Sequence, residues 1–234
     1  MFSKLPRELL TAIRLTLVLA VLTGILYPLA MTGIAQGLFR DKANGSLVTD
    51  KNGQVIGSSL IGQCFYKTEK DKNGNLVYST TKDPEGNVVF VVDQRYFQSR
   101  PSFTVDAATG NPLPCNAQNS TGSNLGPSNQ ALITRVKGYT EYLHSLGVAK
   151  NPDGTDAPIP VDLVTGDFTG FDPDITEAAA LVQVDMVAKA RSLDAGKLRA
   201  LVEQHVDGRS LGVFGEPHVN VLSLNQALDS GAAG

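Results

Sequence analysis

Tryptophan is missing from this chain of 234 residues, which has only two cysteines and three histidines. Two cysteines are too few for a cysteine-rich metal site, and His144, His205 and His218 share no spacing typical of metal ligands. The net charge is −3, and no basic stripe with interleaved aromatic residues is present, which excludes a typical nucleic-acid-binding surface. Hydrophobic residues make up 42% of the sequence, which is enough apolar material for a packed domain.

Charge is also missing from residues 15–38, which read LTLVLAVLTGILYPLAMTGIAQGL. About 20 apolar residues cross the hydrocarbon core of a bilayer as a helix, so this run is long enough to span it. Membrane helices tolerate its glycines and Pro28 better than soluble helices do. Lysine and arginine outnumber acids before the run, and the positive-inside rule therefore puts residues 1–14 in the cytoplasm.

A cleaved signal peptide is the alternative interpretation, because residues 33–36, GIAQ, offer small side chains for cleavage. The apolar region of a signal peptide usually has about 7–15 residues, so we favour an uncleaved anchor. Both interpretations put the rest of the chain outside the cytoplasm, in a bacterial periplasm. The predicted organisation is a cytoplasmic N-terminus (1–14), one transmembrane helix (15–38) and a periplasmic domain (39–234).

The predicted periplasmic domain mixes strand and helix patterns, which indicates a mixed α/β (α+β) fold. At 66–95, the runs NLVYST and NVVFVVD flank TKDPEG, and the dipeptide Asn73-Gly74 marks a turn; we predict a surface hairpin here. Apolar residues at spacings of three and four predict a helix that begins at Ser128 or Asn129. Two further helices are predicted, with N-caps at Thr176 and Asp194, followed by HVNVLSLNQALD as a strand running into a short helix.

The stretch GSNLGPSN at 122–129 has the glycines and small polar residues of a phosphate-binding loop. A Walker-type loop needs a lysine and a hydroxyl residue after its last glycine, whereas Pro127 and Ser128 follow Gly126 here. We therefore favour a turn that caps the following helix.

The stretch GRSLG at 208–212 matches the nucleophile elbow of serine hydrolases, with Ser210 as the nucleophile. An elbow needs a strand before the serine and a helix after it, whereas here a predicted helix precedes it and Gly215 and Pro217 oppose a helix after it. A membrane-anchored periplasmic serine hydrolase using Ser210 is therefore the alternative function, and not the favoured one.

Other titratable residues have structural interpretations. His144 and His205 fall near the predicted C-termini of helices, where a cation interacts favourably with the helix dipole. A cluster of carboxylates is interpreted as turn residues and helix-start charges; its members are Asp172, Asp174, Glu177 and Asp185. We therefore predict neither a catalytic residue nor a metal site.

A series of short motifs resembles one family in type and order. The motifs are TGILYPL (23–29), ANGSL (43–47), SLIGQ with Phe65 (59–65), YFQSRPS (96–102), GSNLGPSN (122–129), IPVDLVT (159–165), VAKAR (187–191) and GEPHVNVLSLNQALD (215–229). The series resembles the KdpC family, the C subunits of Kdp potassium-transporting ATPases. Against short relatives of that family, residues 66–95 are an insertion.

The resemblance implies a non-catalytic accessory subunit of a bacterial inner-membrane complex that imports potassium at the expense of ATP. The implied partners are a channel-like potassium-translocating subunit and a P-type ATPase subunit, together with membrane lipid. The family also implies support of assembly and a proposed effect on the ATPase subunit's affinity for ATP, with the position matching Gln183 considered for nucleotide contact. The predicted topology separates Gln183 from ATP, so ATP is expected only at the level of the complex.

Two further expectations concern contacts. Gly24, Tyr27, Pro28 and Gly33 are expected to face protein, because helices associate in lipid by close packing at small residues; lipid exposure is the alternative.

Both cysteines, Cys64 and Cys115, lie outside the cytoplasm in the predicted topology, where disulfides persist, so we expect a bond between them. Two separate thiols are the alternative.

Overall fold

The computed structural model describes residues 5–72, 74 and 76–232. The first four residues of the predicted cytoplasmic segment, and Asn73 of the predicted turn, lie outside the described residues. The chain forms two compact units, Met1–Val48 and Thr49–Gly234. As the sequence predicts, one long apolar helix at the N-terminus is followed by a domain of mixed helices and strands.

The first unit consists of a nearly continuous helix, with α1 at Leu5–Val21, one π-helical turn at Leu22–Leu26, α2 at Tyr27–Leu38 and a short α3 at Arg40–Ala43. Its part from Pro6 to Leu38 has a mean hydropathy of 2.3 and is long and apolar enough to cross a membrane.

The π turn has a local cause in Pro28. Proline has no N–H to donate to the carbonyl four residues earlier, and its ring crowds that carbonyl. The backbone therefore widens just before Pro28, and the N–H of Tyr27 donates to the carbonyl of Leu22.

The second unit contains short strands and five helices among its described residues. The strands are β2 Val55–Ser58, β3 Thr68–Lys70, β4 Leu76–Tyr78, β5 Thr80–Lys82, β6 Val88–Phe90, β7 Asp174–Ile175, β8 Val206–Asp207 and β9 His218–Asn220, and β1, Leu47–Thr49, lies at the unit boundary. The helices are α4 Gln130–Ser145, α5 Glu177–Leu181, α6 Val184–Arg191, α7 Ala195–Gln204 and α8 Val221–Asp229, and Val161–Leu163 forms a 3₁₀ turn. Strands β7, β9 and β8 make an antiparallel sheet in that order.

The structure has the hairpin predicted around TKDPEG, with shorter strands, and a second hairpin before it. Strand β4 pairs antiparallel with β3, and β6 pairs antiparallel with β5 around the turn at Asp83–Gly86. An aromatic cluster connects the hairpins: the ring of Tyr66 stacks on that of Phe90 at 5.3 Å, and the ring of Tyr78 meets Tyr66 edge-on at 5.8 Å. Contacts between these aromatic side chains therefore help to decide which strands pair. The alternation of apolar and polar residues in the sequence does not show which of these contacts form.

The predicted helix starts are confirmed. The side chains of Asn129, Thr176 and Asp194 each accept a hydrogen bond from a backbone N–H in the first turn of α4, α5 and α7. The second predicted helix, however, is broken after Leu181, so that α6 begins only after Gln183. The break places the Gln183 side chain among the buried residues of the core rather than on a helix surface.

The core of the second unit is assembled from the apolar stripes of α4 to α8, from the chain between α4 and β7, and from the segment that follows the hairpins. Its largest fully buried side chains include Phe97, Leu198 and Leu224. Two amides, Gln183 and Asn225, are as deeply buried as these apolar groups. Buried amides require hydrogen-bond partners, and both amides find them on the backbone of Phe97 and Gln98.

Candidate functional site

The predicted contact face in the N-terminal helix is uncovered. The Tyr27 side chain is exposed, and a Cβ atom added at Gly24 or Gly33 would have nothing within 4 Å. Gly24 and Pro28 lie one turn apart, whereas Gly33, nine residues after Gly24, lies about half a turn round the helix axis. The four residues therefore do not share one face.

The N-terminal helix has a second face of small residues, which was not predicted from the sequence. Gly33 and Gly37 are four residues apart in an apolar helix, which is the G-x-x-x-G spacing that lets helix backbones approach closely. An added Cβ at Gly37 would also have nothing within 4 Å. The helix thus offers two uncovered surfaces for packing, one at Gly24 and Pro28 and one at Gly33 and Gly37.

In the second unit, two buried amides hold the backbone of the YFQSRPS motif. Asn225 Oδ1 accepts from the N–H of Phe97 at 2.9 Å, and Asn225 Nδ2 donates to the carbonyl of Phe97 at 2.9 Å. Gln183 Oε1 accepts from the N–H of Gln98 at 2.8 Å, and Gln183 Nε2 donates to the carbonyl of Gln98 at 3.2 Å. We call this arrangement the amide clamp: two side chains that satisfy both backbone groups of two consecutive residues.

Gln183 is 1% exposed, and its Nε2 also donates to the carbonyl of Ala179 at 3.0 Å. Both N–H groups of its amide are therefore engaged within the core, and the side chain presents no donor to a nucleotide. The geometry supports a role for Gln183 in positioning the backbone of Gln98.

A surface cluster ties three of the sequence motifs together next to the amide clamp. The guanidinium of Arg191 donates to Asp229 Oδ1 at 2.6 Å and to the carbonyl of Arg95 at 2.5 Å. It also lies over the ring of Tyr96, 4.6 Å from its centroid. The motifs YFQSRPS, VAKAR and GEPHVNVLSLNQALD therefore meet in one structural assembly, and this assembly contains no catalytic arrangement of their side chains.

The GSNLGPSN stretch is a turn and a cap, as predicted. A Cβ at Gly122 would lie 3.2 Å from the Cα atom of Phe168, a tight contact that favours glycine where the other loop approaches. Asn129 Oδ1 accepts from the N–H of Ala131 at 2.9 Å and begins α4. The stretch positions two chain segments and forms no phosphate cradle.

Ser210 does not occupy a nucleophile elbow. Its backbone N–H donates to the carbonyl of Phe214 at 2.8 Å and its carbonyl accepts from the N–H of Phe214 at 3.0 Å, which closes a tight exposed turn where an elbow needs a helix. The ring of His218 instead bonds the carbonyl of Glu216 through Nδ1, at 3.0 Å. These positions do not support the hydrolase alternative.

The remaining polar candidates have structural roles. His144 and His205 lie at the ends of α4 and α7, and a ring nitrogen of each bonds a backbone carbonyl, at 2.9 and 2.8 Å. Asp172 Oδ1 accepts from the N–H of Asp174 in a turn, and Glu177 and Asp185 lie in the first turns of α5 and α6. Over the part of the chain that the structure describes, no group of three or more His, Cys, Asp or Glu could hold a metal ion.

The sulfur atoms of Cys64 and Cys115 are bonded in the structure, and their Cα atoms are 5.7 Å apart. The bond joins the chain just before the hairpins to the loop that precedes α4. The N–H of Cys115 donates to Ser102 Oγ at 2.8 Å, which fixes that loop against the end of the YFQSRPS motif.

One ion pair makes the stability of the second unit depend on pH. Hydrogen bonds from the Arg95 side chain, 2.6 Å from Asp93 Oδ2, hold the pKa of Asp93 below its usual value. Because the folded-state pKa is lower than the unfolded value of about 3.9, this contribution is present above that pH and is lost as the pH falls through the folded-state pKa.

We therefore expect the free energy of unfolding to fall less steeply below about pH 4 in the Asp93→Asn variant than in the wild type. Urea unfolding at a series of pH values measures this slope. Equal slopes in the two proteins would contradict the assignment to Asp93, and Arg95→Met should reduce the slope in the same way.

Comparison with known sequences decides the family. The KdpC family, described as the c chain of the K+-transporting ATPase, matches residues 9–230. The chain belongs to the KdpC family. The KdpC subunit of the potassium-transporting ATPase of Rhodopseudomonas palustris (strain BisB18) is 45% identical over 229 residues, covering 96% of this chain and 98% of the relative.

Two further KdpC subunits are similarly close. That of Methylobacterium nodulans is 47% identical over 230 residues, covering 94% of this chain and 98% of the relative. That of Bradyrhizobium diazoefficiens is 45% identical over 232 residues, covering 97% and 98%. This member of the family is therefore a subunit of a potassium-transporting ATPase complex, and the one helix among its described residues that is long and apolar enough to cross a membrane is consistent with a membrane-anchored subunit.

Proposed function

We propose that the chain is a non-catalytic accessory subunit that supports assembly and stability of the potassium-transporting ATPase in the bacterial inner membrane. In this proposal, the N-terminus is cytoplasmic, the helix Pro6–Leu38 is the anchor, and the second unit lies in the periplasm. The partners are a channel-like potassium-translocating subunit and a P-type ATPase subunit.

The observation that carries the proposal is the uncovered apolar helix. None of its spanning window is buried within the structure, and its glycines are open to close approach. Two small-residue surfaces on different sides of one helix fit a helix that packs between neighbours. Among the polar residues described above, Ser210, the histidines and the carboxylates are held by structural hydrogen bonds or lie at turns and helix ends. None of these residues forms a nucleophile–base pair in catalytic geometry, which supports a role without catalysis.

The expectation that this subunit raises the ATPase subunit's affinity for ATP stays a prediction. Because the amide of Gln183 is buried and engaged, we propose that such an effect acts through the partner subunit and not through a direct contact of Gln183 with ATP. Removal of the subunit from the purified complex should then raise the KM for ATP of the remaining ATPase.

Gly24→Leu is expected to reduce recovery of the other subunits when the complex is purified through this chain in mild detergent. The leucine side chain fills the space that a neighbouring helix backbone needs at this face. The measurement is the ratio of co-eluting ATPase subunit to this chain. Ala12→Leu, which adds the same side chain three turns earlier, is the control, and equal recovery of both variants would contradict a packed face at Gly24.

A further inference from the structure

The chain between β8 and β9 presents three large apolar side chains to solvent. Every residue from 208 to 217 is exposed. Leu211, Val213 and Phe214 are exposed by 90%, 67% and 64%. Single exposed apolar residues need no explanation, but three large ones on one short turn make that turn a candidate interaction site.

Hydrogen bonds hold this cluster in place. Ser210 and Phe214 exchange two backbone hydrogen bonds, and the carbonyl of Ser210 also accepts from the N–H of Val213 at 3.3 Å. The strands β8 and β9 pair directly behind the turn. The three side chains are therefore presented on a fixed turn and lose little conformational freedom when a partner covers them.

Leu211 has a backbone conformation that its side chain disfavours. Its φ is +54° and that of Gly212 is +77°, so both central residues of the turn are left-handed, as in a type I′ turn. Such turns favour Asn-Gly or Asp-Gly at these positions, and a branched leucine there is uncommon. A residue that opposes the local backbone and buries almost nothing does not serve the fold, which points to a contact outside the chain.

The charges beside the cluster indicate which kind of partner covers it. Arg209 and Glu216 are the only charged residues in the loop 208–217, and they pair with each other at 2.5 Å. A turn that inserts among anionic lipid headgroups is helped by unpaired basic side chains, and this loop presents none. An apolar centre with a neutralised polar rim is instead the composition of a protein–protein contact.

We propose that residues 211–214 form an apolar knob that inserts into an apolar pocket on another subunit of the potassium-transporting ATPase, on the side of the membrane that holds the second unit. The inference rests on the proposed function, because it requires the assembled complex. It assigns a contact in the second unit that is separate from the helix packing at Gly24.

Leu211→Asn tests the knob, because it removes the apolar side chain and introduces the residue that the turn favours. The variant should be at least as resistant to urea unfolding as the wild type, while recovery of the other subunits from mild detergent falls by about tenfold, as expected for loss of one buried leucine. The control is Leu76→Asn, in β4, where the leucine is 71% exposed in an ordinary strand.

The outcomes separate the two proposals. If the wild type fails to recover an ATPase subunit, the proposed function fails; if the wild type recovers it and Leu211→Asn does so equally, only the knob fails. A photoreactive benzoylphenylalanine in place of Phe214 identifies the partner in the membrane-embedded complex. A covalent adduct with another subunit supports the knob, whereas adducts only with lipid, only with a second copy of this chain, or with nothing overturn it.

Discussion

Asn225→Leu is expected to lower the free energy of unfolding of the second unit by about 2–6 kcal/mol, because two buried backbone groups lose their partners. Leucine has the same number and branching of side-chain heavy atoms as asparagine, but its methyl groups are larger, so crowding in the core adds to the loss. The N–H and carbonyl of Phe97 lose both of their partners, and Phe97 is fully buried. Each buried backbone group left unsatisfied costs about 1–3 kcal/mol.

The measurement is urea unfolding of the full chain in detergent, followed by a signal from the second unit. Gln118→Leu is the control, because that amide is exposed.

Gln183→Leu should lower the free energy of unfolding by a similar amount, because the N–H and carbonyl of Gln98 then lose their partners. Because the two amides hold consecutive residues, the double variant should lose less than the sum. A loss below about 1 kcal/mol for Asn225→Leu would show that water replaces the amide and that the clamp is dispensable.

The parts of this structure that depend on neighbouring residues could be predicted from the sequence. Asn129, Thr176 and Asp194 begin helices because a cap is a contact between a side chain and the backbone two or three residues later. The anchor helix could be predicted because the length of an apolar run is a property of the sequence itself. Its π turn also has a local signal in the sequence, since Pro28 removes one backbone donor.

The parts that depend on distant residues could not be predicted. The amide clamp pairs residues that are 85 and 128 positions apart, and no local pattern connects them. The only signal was an amide within an apolar stripe, as at Asn225, which indicates a buried polar group without identifying its partner. The additional hairpin, β3–β4, was not predicted for the same reason, because it packs through contacts among Tyr66, Tyr78 and Phe90, which are separated in sequence.

Loss of the Cys64–Cys115 bond is expected to lower the free energy of unfolding by about 4 kcal/mol at 25 °C, measured as the Cys64→Ala, Cys115→Ala double variant against the wild type. The bonded residues are 51 positions apart in sequence. A crosslink over a loop of this length removes much of the conformational freedom of the unfolded chain, which is the source of the expected stabilisation. This loop contains both hairpins, so the bond restricts a segment whose short strands hold few contacts of their own.

The redox response distinguishes this effect from a loss of packing. A reductant should lower the stability of the wild type to that of the double variant and leave the double variant unchanged, because only the wild type has a bond to reduce. Each single Cys→Ala variant should match the double variant, since one cysteine cannot form the bond. Equal stability of wild type and double variant under oxidising conditions, or two free thiols in protein isolated from membranes, would contradict the stabilising role.

The Cα separation of 5.7 Å lies within the range that a disulfide requires, so the bond fits the backbone of the folded unit. In the chain-entropy account the bond acts on the unfolded chain, whereas the amide clamp acts on the folded one, and both stabilise residues within 64–115.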